Sequence, residues 1–116
     1  KCSVFAPLRV KNGIELMLVN RVLILDQAKE DLLEARAFYS RQEAGLGKYF
    51  WDSLVSDIES LHVHGGVHVK QFGYYRMSSH RFPYSIYYDL VDQSVQVVAV
   101  LAERRNPSLI GKHLTV

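Results

Sequence analysis

The residues of this chain whose types could carry out chemistry lie in its second half. A ribonuclease that works without a metal needs a base for the 2′-hydroxyl proton, an acid for the leaving oxygen and cations that hold the phosphate. Glu103 or His80 is the candidate base, and Tyr87 is the candidate proton donor. Exposed charges are also usual at strand ends, so each of these residues has a purely structural explanation as well. The candidate phosphate-binding cations are Arg76, Arg81 and Arg104.

Two of these arginines are also candidates for binding an anionic partner. A guanidinium group binds a carboxylate or a phosphate through two parallel hydrogen bonds. Arg76 and Arg81 are expected in strands that pair with each other. The alternatives are an ion pair with Asp89 or a position on an exposed strand edge.

Three histidines, His62, His64 and His68, lie close together in the sequence. Histidine is a common zinc ligand, so this cluster suggests a metal site. However, no cysteine lies near it, and Gly65 and Gly66 interrupt it with a signal for a loop. The pattern therefore favours a polar loop, and we expect neither a metal nor a cofactor.

The composition is typical of one globular domain. The chain has 116 residues, of which 48% are hydrophobic and 22% are charged, and it contains a single cysteine. This length is close to the commonest domain size and is sufficient for one buried core. The single cysteine excludes a disulfide framework and a cysteine-rich zinc site within this chain.

The charge is unevenly distributed between the two halves. The formal net charge is +2 at pH 7, but residues 1–59 hold eight basic and nine acidic residues, whereas residues 60–116 hold six basic and three acidic ones. An anionic partner would therefore meet the second half. The excess is small for a protein that binds phosphate chains and suits an acidic protein segment better.

Residues 1–20 have a pattern that predicts no clear element. They lack the apolar stretch and the cleavage site of a secretory signal, and no apolar run in the chain approaches the roughly 20 residues that span a membrane. We therefore expect a cytoplasmic protein without a membrane partner. Because Met17 is a candidate natural start, we treat residues 1–20 as an N-terminal extension of uncertain status and residues 21–116 as the folded domain.

The first half of this domain has the pattern of one strand and two helices. The β-prone run 21–25 predicts a strand, and Asp26 is the expected N-cap of a helix over residues 27–42. Gly45-Leu46-Gly47 ends that helix, because two glycines so close together favour a turn. A second helix follows in an antiparallel hairpin. Its apolar stripe consists of Leu46, Phe50, Leu54, Ile58 and Leu61.

Beyond Gly65-Gly66 the hydrophobic period changes to two residues, which indicates strands. The candidate strands are 67–77, with an interruption at Gly73, 81–91 and 94–102. Asp92-Gln93 is a two-residue connection, so the last two strands should form an antiparallel hairpin. The order of elements is therefore β-α-α-β-β-β. It predicts an α+β domain in which a helical hairpin packs on a small, mainly antiparallel sheet.

Several short strings in this order of elements are shared with a known family. The specific ones are Arg81-Phe82-Pro83-Tyr84, continued by Ile86-Tyr87-Tyr88, and the string Glu103-Arg104-Arg105-Asn106-Pro107. The weaker ones are Ala28 with Asp31 and Leu32, Phe38-Tyr39, Gly45-Leu46-Gly47 with Phe50, Tyr75-Arg76, and the run Val97 to Leu101. Together they resemble the RelE/ParE superfamily, the toxin components of bacterial type II toxin–antitoxin modules.

Within that superfamily the chain is most similar to the ParE and plasmid-stabilisation branch. This resemblance implies a toxin that inhibits DNA gyrase and is neutralised by a cognate antitoxin, whose C-terminal segment wraps it. The RelE branch implies instead an mRNA endonuclease that acts on the ribosome and has an aromatic residue or a histidine near its C-terminus. Here residues 107–114 contain His113 as their only ring, which favours the inhibitor over the enzyme. A degenerate, non-toxic member that only binds antitoxin is the third alternative.

The resemblance also suggests which residues contact the two partners. Exposed aromatic side chains rarely persist without a partner. Phe38 and Trp51 lie beside the main apolar stripes and are therefore the candidates for antitoxin binding in a toxin–antitoxin hetero-oligomer, unless both rings are buried. The candidates for binding the target are Arg76, Arg81, Arg104 and Arg105.

Overall fold

The computed structural model describes residues 19–104, which form two layers, helices on a five-stranded sheet. Most of the expected N-terminal extension, Met17 and the residues from Arg105 onward lie outside this range. The elements in chain order are β1 (Arg21–Ile24), α1 (Asp26–Gln42), α2 (Leu46–Glu59), α3 (Leu61–His64), β2 (Lys70–Gln71), β3 (Tyr74–Ser78), β4 (Tyr84–Val91) and β5 (Ser94–Ala102).

Helix α1 begins one residue before the predicted range. Its N-cap is Leu25, which makes no side-chain capping bond, and Asp26 is the first helical residue. The prediction that Asp26 caps the helix is therefore wrong. The acidic side chain still lies in the first turn, where it interacts favourably with the positive end of the helix dipole.

The sheet has the order β1-β5-β4-β3-β2 and confirms the α+β prediction. Strand β1 pairs with β5 in parallel, and all other neighbours are antiparallel. The turn between β4 and β5 has positive φ angles at both central residues, 50° at Asp92 and 65° at Gln93. Two such residues give the turn a twist that matches the flanking strands. The sheet places β5 between β1 and β4, as its nearly continuous apolar sequence predicts.

The main core lies between the helices and one face of the sheet. Phe50, Leu54 and Ile58 of α2 are buried there, as are Ile86 and Tyr88 of β4. The opposite sheet face carries a smaller cluster of buried side chains. This second cluster consists of Tyr87, Ala99 and Leu101, with Tyr74 and Val98 packed against it.

Asp31 is a buried acid on the apolar side of α1, and the sheet explains its position. Strand β1 ends beside Val97, so within residues 19–104 the outer edge of β5 has no strand partner beyond that point. The backbone N–H of Val100 donates instead to Oδ2 of Asp31 at 3.0 Å, and the Gln27 amide donates to Oδ1 at 3.1 Å. Asp31 thus satisfies a buried backbone donor that would otherwise be costly.

The two glycines between α1 and α2 serve different purposes. Gly45 is in the left-handed region with φ at +87°, and a Cβ atom there would meet nothing within 4 Å. A Cβ on Gly47 would lie 2.7 Å from the backbone oxygen of Arg36 and 1.9 Å from Oγ of Ser40. Gly45 therefore makes the turn, and Gly47 allows the two helices to approach closely.

Candidate functional site

The sheet face opposite the helices carries a polar cluster near the end of β5. Strand β3 contributes Arg76 and Ser78, and β4 contributes Ser85 and Tyr87, which are their register partners. Glu103 follows directly after β5. Its Oε2 accepts hydrogen bonds from Oγ of Ser78 at 2.7 Å, from Oγ of Ser85 at 3.3 Å and from Nη2 of Arg76 at 3.4 Å.

This cluster brings together three of the residues that were predicted for nuclease chemistry. Arg76 forms its ion pair with Glu103 and not with Asp89, so the expected alternative partner is wrong. Each side chain of the pair is about one-third exposed, at 33% and 32%. Tyr87 is 2% exposed. In this arrangement the guanidinium of Arg76 and the two serine hydroxyls all donate hydrogen bonds to the Glu103 carboxylate.

Arg81 and His80 lie on the other side of the sheet, in the connection between β3 and β4. The predicted strand over 81–91 begins only at Tyr84, because Pro83 has no N–H for a ladder and Tyr84 donates its N–H to the Phe82 oxygen at 2.7 Å in a tight turn. The expectation that Arg76 and Arg81 lie in paired strands is therefore wrong. The guanidinium of Arg81 lies 6.0 Å from the ring centroid of Tyr49 in α2.

The β3–β4 connection is attached to α2 through Asp57. Oδ2 of Asp57 accepts hydrogen bonds from the Ser79 hydroxyl at 2.7 Å and from the His80 N–H at 3.1 Å. Nδ1 of His80 lies 2.7 Å from Oδ1 of the same carboxylate. Asp57 is 7% exposed, so its carboxylate is largely shielded from water.

Asp57 is a site residue that sequence reasoning missed. Its signal is an acidic residue inside the apolar stripe of α2, three positions after Leu54 and next to Ile58. A charged residue at such a position needs a partner when it is buried. The sequence contains that signal but does not say that the partner is His80.

Beside this contact lies a polar cleft of about 530 Å³ between α2 and the β3–β4 connection. We call it the α2 cleft. It combines hydroxyl, imidazole and guanidinium groups. Its lining residues are Tyr49, Asp52, Ser53, Ser56, Asp57, Ser60, His80 and Arg81.

A second, mainly apolar groove of about 520 Å³ lies between strand β1 and helix α2. We call it the β1 groove. Trp51 lines it together with Val22, Ile24 and Val55, and the guanidinium of Arg36 lies 5.1 Å from the centre of the Trp51 ring. Strand β1 is at the edge of the sheet in the described part of the chain. The groove therefore offers an apolar floor beside a strand edge.

The other aromatic candidate for antitoxin binding, Phe38, lies elsewhere. Its side chain is 46% exposed and contacts Tyr39 edge to face, with the ring centroids 5.2 Å apart. It lines a separate cavity of about 200 Å³ next to Tyr84 and the end of β5. The structure thus leaves Phe38 exposed and Trp51 partly buried, and it does not place them in one surface.

The histidine cluster is divided between α3 and the following loop. His62 and His64 belong to α3, whereas His68 contacts the core. The Tyr88 hydroxyl accepts the N–H of Gly66 at 2.9 Å and lies 2.5 Å from Nδ1 of His68, to which it donates when the proton of the neutral ring is on Nε2. Among residues 19–104, no three histidine, cysteine, aspartate or glutamate side chains are grouped so that they could hold a metal.

His68 should make the stability of the fold depend on pH. Burial lowers the pKa of His68 below its ordinary value of 6.5, and the nearby His64 lowers this pKa further. The unfolded chain therefore binds the proton more readily than the folded one. We expect the free energy of unfolding to decrease as the pH falls below about 6.5, until the lowered pKa is passed. Urea denaturation between pH 7.5 and pH 5 measures this, and the variant His68→Gln should show a smaller decrease; an equal decrease would contradict the assignment.

Of the last two arginines predicted to bind the target, only Arg104 lies within the described range, at its end. Arg104 is exposed in the turn after β5, and it makes no ion pair with another residue of the range 19–104. Arg105 lies outside the described residues. The four arginines therefore do not form one described surface, because Arg76 and Arg81 lie on opposite sides of the sheet.

Comparison with known proteins gives one family and one fold. The chain matches the family model for the ParE toxin of type II toxin-antitoxin system, parDE, over residues 22–107. It is similar in structure to a chain of the chromosomal ParDE TA system from P. aeruginosa, with a TM-score of 0.62 and 14% sequence identity, over 74% of this chain and 96% of that chain. No curated protein matches the chain. Within residues 19–104, none of the helices has the length and apolar character needed to cross a membrane.

Proposed function

The chain belongs to the ParE toxin family of type II toxin–antitoxin systems, and from this membership we infer that it inhibits DNA gyrase in the bacterial cytoplasm and is neutralised by a cognate antitoxin. The family implies an antitoxin partner. That the target is gyrase, and which residues contact gyrase and the antitoxin, are proposed in addition to the family membership. We expect gyrase and the antitoxin to bind different surfaces of the molecule.

The β1 groove supports antitoxin binding. An amphipathic helix or an added strand binds where an apolar groove lies next to an open strand edge, and the groove has both features. Arg21 and Lys29 also line it and outnumber the one acidic residue there, Glu59, which suits an acidic segment, although these basic residues lie in the first half of the chain and not in the second half that the charge distribution indicates. Trp51 is the aromatic residue that we propose as its central contact.

The divided positions of the candidate nuclease residues support inhibition over catalysis. Ribonuclease chemistry needs base, acid and cations around one phosphate. Arg76, Tyr87 and Glu103 share one sheet face, but His80 and Arg81 lie on the helical side. Within residues 19–104, Arg76 is the cation that contacts Glu103, and the two charges neutralise each other. The division of the candidate nuclease residues between the two sides of the sheet is the observation that favours inhibition over catalysis. An mRNA endonuclease whose site lies on the sheet face opposite the helices is the second candidate.

Arg104 is the described arginine best placed to test gyrase binding. Because it is exposed and makes no ion pair within residues 19–104, its removal should leave the fold intact. We expect purified protein to block the conversion of relaxed to supercoiled DNA by gyrase, and Arg104→Ala to weaken this about tenfold, or ~1.4 kcal/mol. The control is Arg41→Ala, an exposed arginine at the end of α1. Arg76, Arg81 and Arg105 are the further candidates for the same assay.

A second assay separates the alternatives. Primer extension on translated messages should show no cleavage by the protein if it is a gyrase inhibitor. Cleavage together with unaffected supercoiling would overturn the proposal in favour of the endonuclease. Activity in neither assay, with antitoxin binding retained, would identify the non-toxic member of the family.

A further inference from the structure

The α2 cleft contains an imidazole that is held in one orientation by a buried carboxylate. Asp57 accepts three hydrogen bonds from the β3–β4 connection, one from the Ser79 hydroxyl and two from His80. Because an ionised carboxylate only accepts hydrogen bonds, the proton of this contact lies on Nδ1 of His80. Nε2 of His80 is then free to contact another group, as an acceptor in the neutral ring and as a donor in the protonated ring, and the His80 side chain is 77% exposed.

One cation that lines the cleft forms no ion pair within residues 19–104. Asp52 pairs with Lys48 at 2.8 Å, and both oxygens of Asp57 are used by Ser79 and His80. Arg81, in contrast, forms no ion pair with any residue of the range 19–104. Its guanidinium lies over the ring of Tyr49, which is 47% exposed. Arg81 and Asp57 carry the two remaining charges of the lining, and because the Asp57 oxygens are used by Ser79 and His80, the Arg81 guanidinium is the charged group left to contact a ligand.

The other polar groups of the cleft complete a set of donors. The hydroxyls of Ser53 and Ser56 project from the same side of α2, and Tyr49 lies one turn earlier on that helix. A guanidinium, hydroxyls and the protonated form of the His80 imidazole around one space suit a tetrahedral anion with several oxygens, because each donor can take a different oxygen. A volume of about 530 Å³ accommodates a ligand much larger than a single anion.

We propose that the α2 cleft binds a phosphate ester, with Arg81 and His80 contacting the phosphate oxygens and Asp57 acting as a positioning residue for His80. The exposed ring of Tyr49 gives a base or a sugar a surface for stacking, so the ligand class is a nucleotide, either free or within a polynucleotide. This site is separate from the β1 groove and from the polar cluster at Glu103. It does not depend on gyrase inhibition.

NMR spectroscopy of the full ¹⁵N-labelled chain tests the proposal. The probes are inorganic phosphate, adenosine 5′-monophosphate and a short uridine oligoribonucleotide. We expect all three to shift the amide signals of residues 79–81 and of Ser53 and Ser56. Tighter binding of the monophosphate would identify a free nucleotide as the ligand, and tighter binding of the oligoribonucleotide would identify a polynucleotide backbone.

Matched variants place the binding in the cleft. Arg81→Ala should weaken binding of the monophosphate about tenfold, or ~1.4 kcal/mol, whereas Arg76→Ala, on the opposite sheet face, should leave it unchanged.

Asp57→Asn should change the ¹⁵N shifts of the His80 ring, which report its tautomer, and should also weaken phosphate binding. His80→Gln serves as a second variant if Asp57→Asn does not fold. Shifts outside the cleft, loss of binding in Arg76→Ala alone, or the same shifts with acetate would each overturn the proposal.

Discussion

Replacement of Gly47 by alanine is expected to lower the free energy of unfolding by about 3 kcal/mol, at the upper end of overpacking effects. The added Cβ would lie 2.7 Å from the backbone oxygen of Arg36 and 1.9 Å from Oγ of Ser40. The Ser40 side chain can rotate away, but the Arg36 oxygen belongs to the backbone of α1. Helices α1 and α2 must therefore move apart, and the core between them must repack.

The matched control for this variant is Gly45→Ala. Gly45 has a positive φ angle of +87°, and a Cβ there would meet nothing within 4 Å. Its replacement should cost only the strain of a left-handed backbone, about 1 kcal/mol. Urea denaturation of both variants measures the difference. If Gly45→Ala destabilised the protein as much as Gly47→Ala, the explanation of the Gly47 effect by a close helix contact would be wrong.

These two glycines show how far a sequence pattern can predict a fold. Two glycines within three residues are sufficient to predict the turn between α1 and α2, because local backbone freedom is a property of the residues themselves. The close approach of Gly47 to Arg36 depends on how α2 packs on α1. The pattern contains no information about that distance, so the different purposes of the two glycines become visible only in the structure.

The same distinction applies to the candidate site. The periodicities predicted the element order and the apolar faces, since they follow from neighbours in sequence. The contacts of Glu103 with Ser78 and of Asp57 with His80 join residues 25 and 23 positions apart. They depend on strand register and on where the β3–β4 connection meets α2. Spacing therefore offered Asp89 as an alternative partner of Arg76, which pairs with Glu103 instead, and placed Arg81 in a strand that begins only at Tyr84.

For the antitoxin surface, too, the sequence alone does not show which of two candidate residues, Phe38 or Trp51, contacts the partner. Both rings lie beside an apolar helix stripe in the sequence, and their positions there do not distinguish them. In the structure Trp51 lines the β1 groove, whereas Phe38 lies at a different cavity. Because a partner that fills the groove buries Trp51, the two side chains should differ strongly in their contribution to antitoxin affinity.

The variant Trp51→Ala is accordingly expected to weaken binding of the cognate antitoxin at least about thirtyfold, or ~2 kcal/mol, as is usual for a tryptophan at the centre of an interface. Phe38→Ala, which removes an aromatic ring that is 46% exposed, should change the affinity less than about threefold. Titration calorimetry with the purified cognate antitoxin measures both values. Urea denaturation of the free variants shows whether either has lost its fold, since Trp51 packs against the core. Equal losses in two folded variants would move the antitoxin surface away from the β1 groove, whereas a loss confined to Trp51→Ala would place the antitoxin beside the open edge of β1.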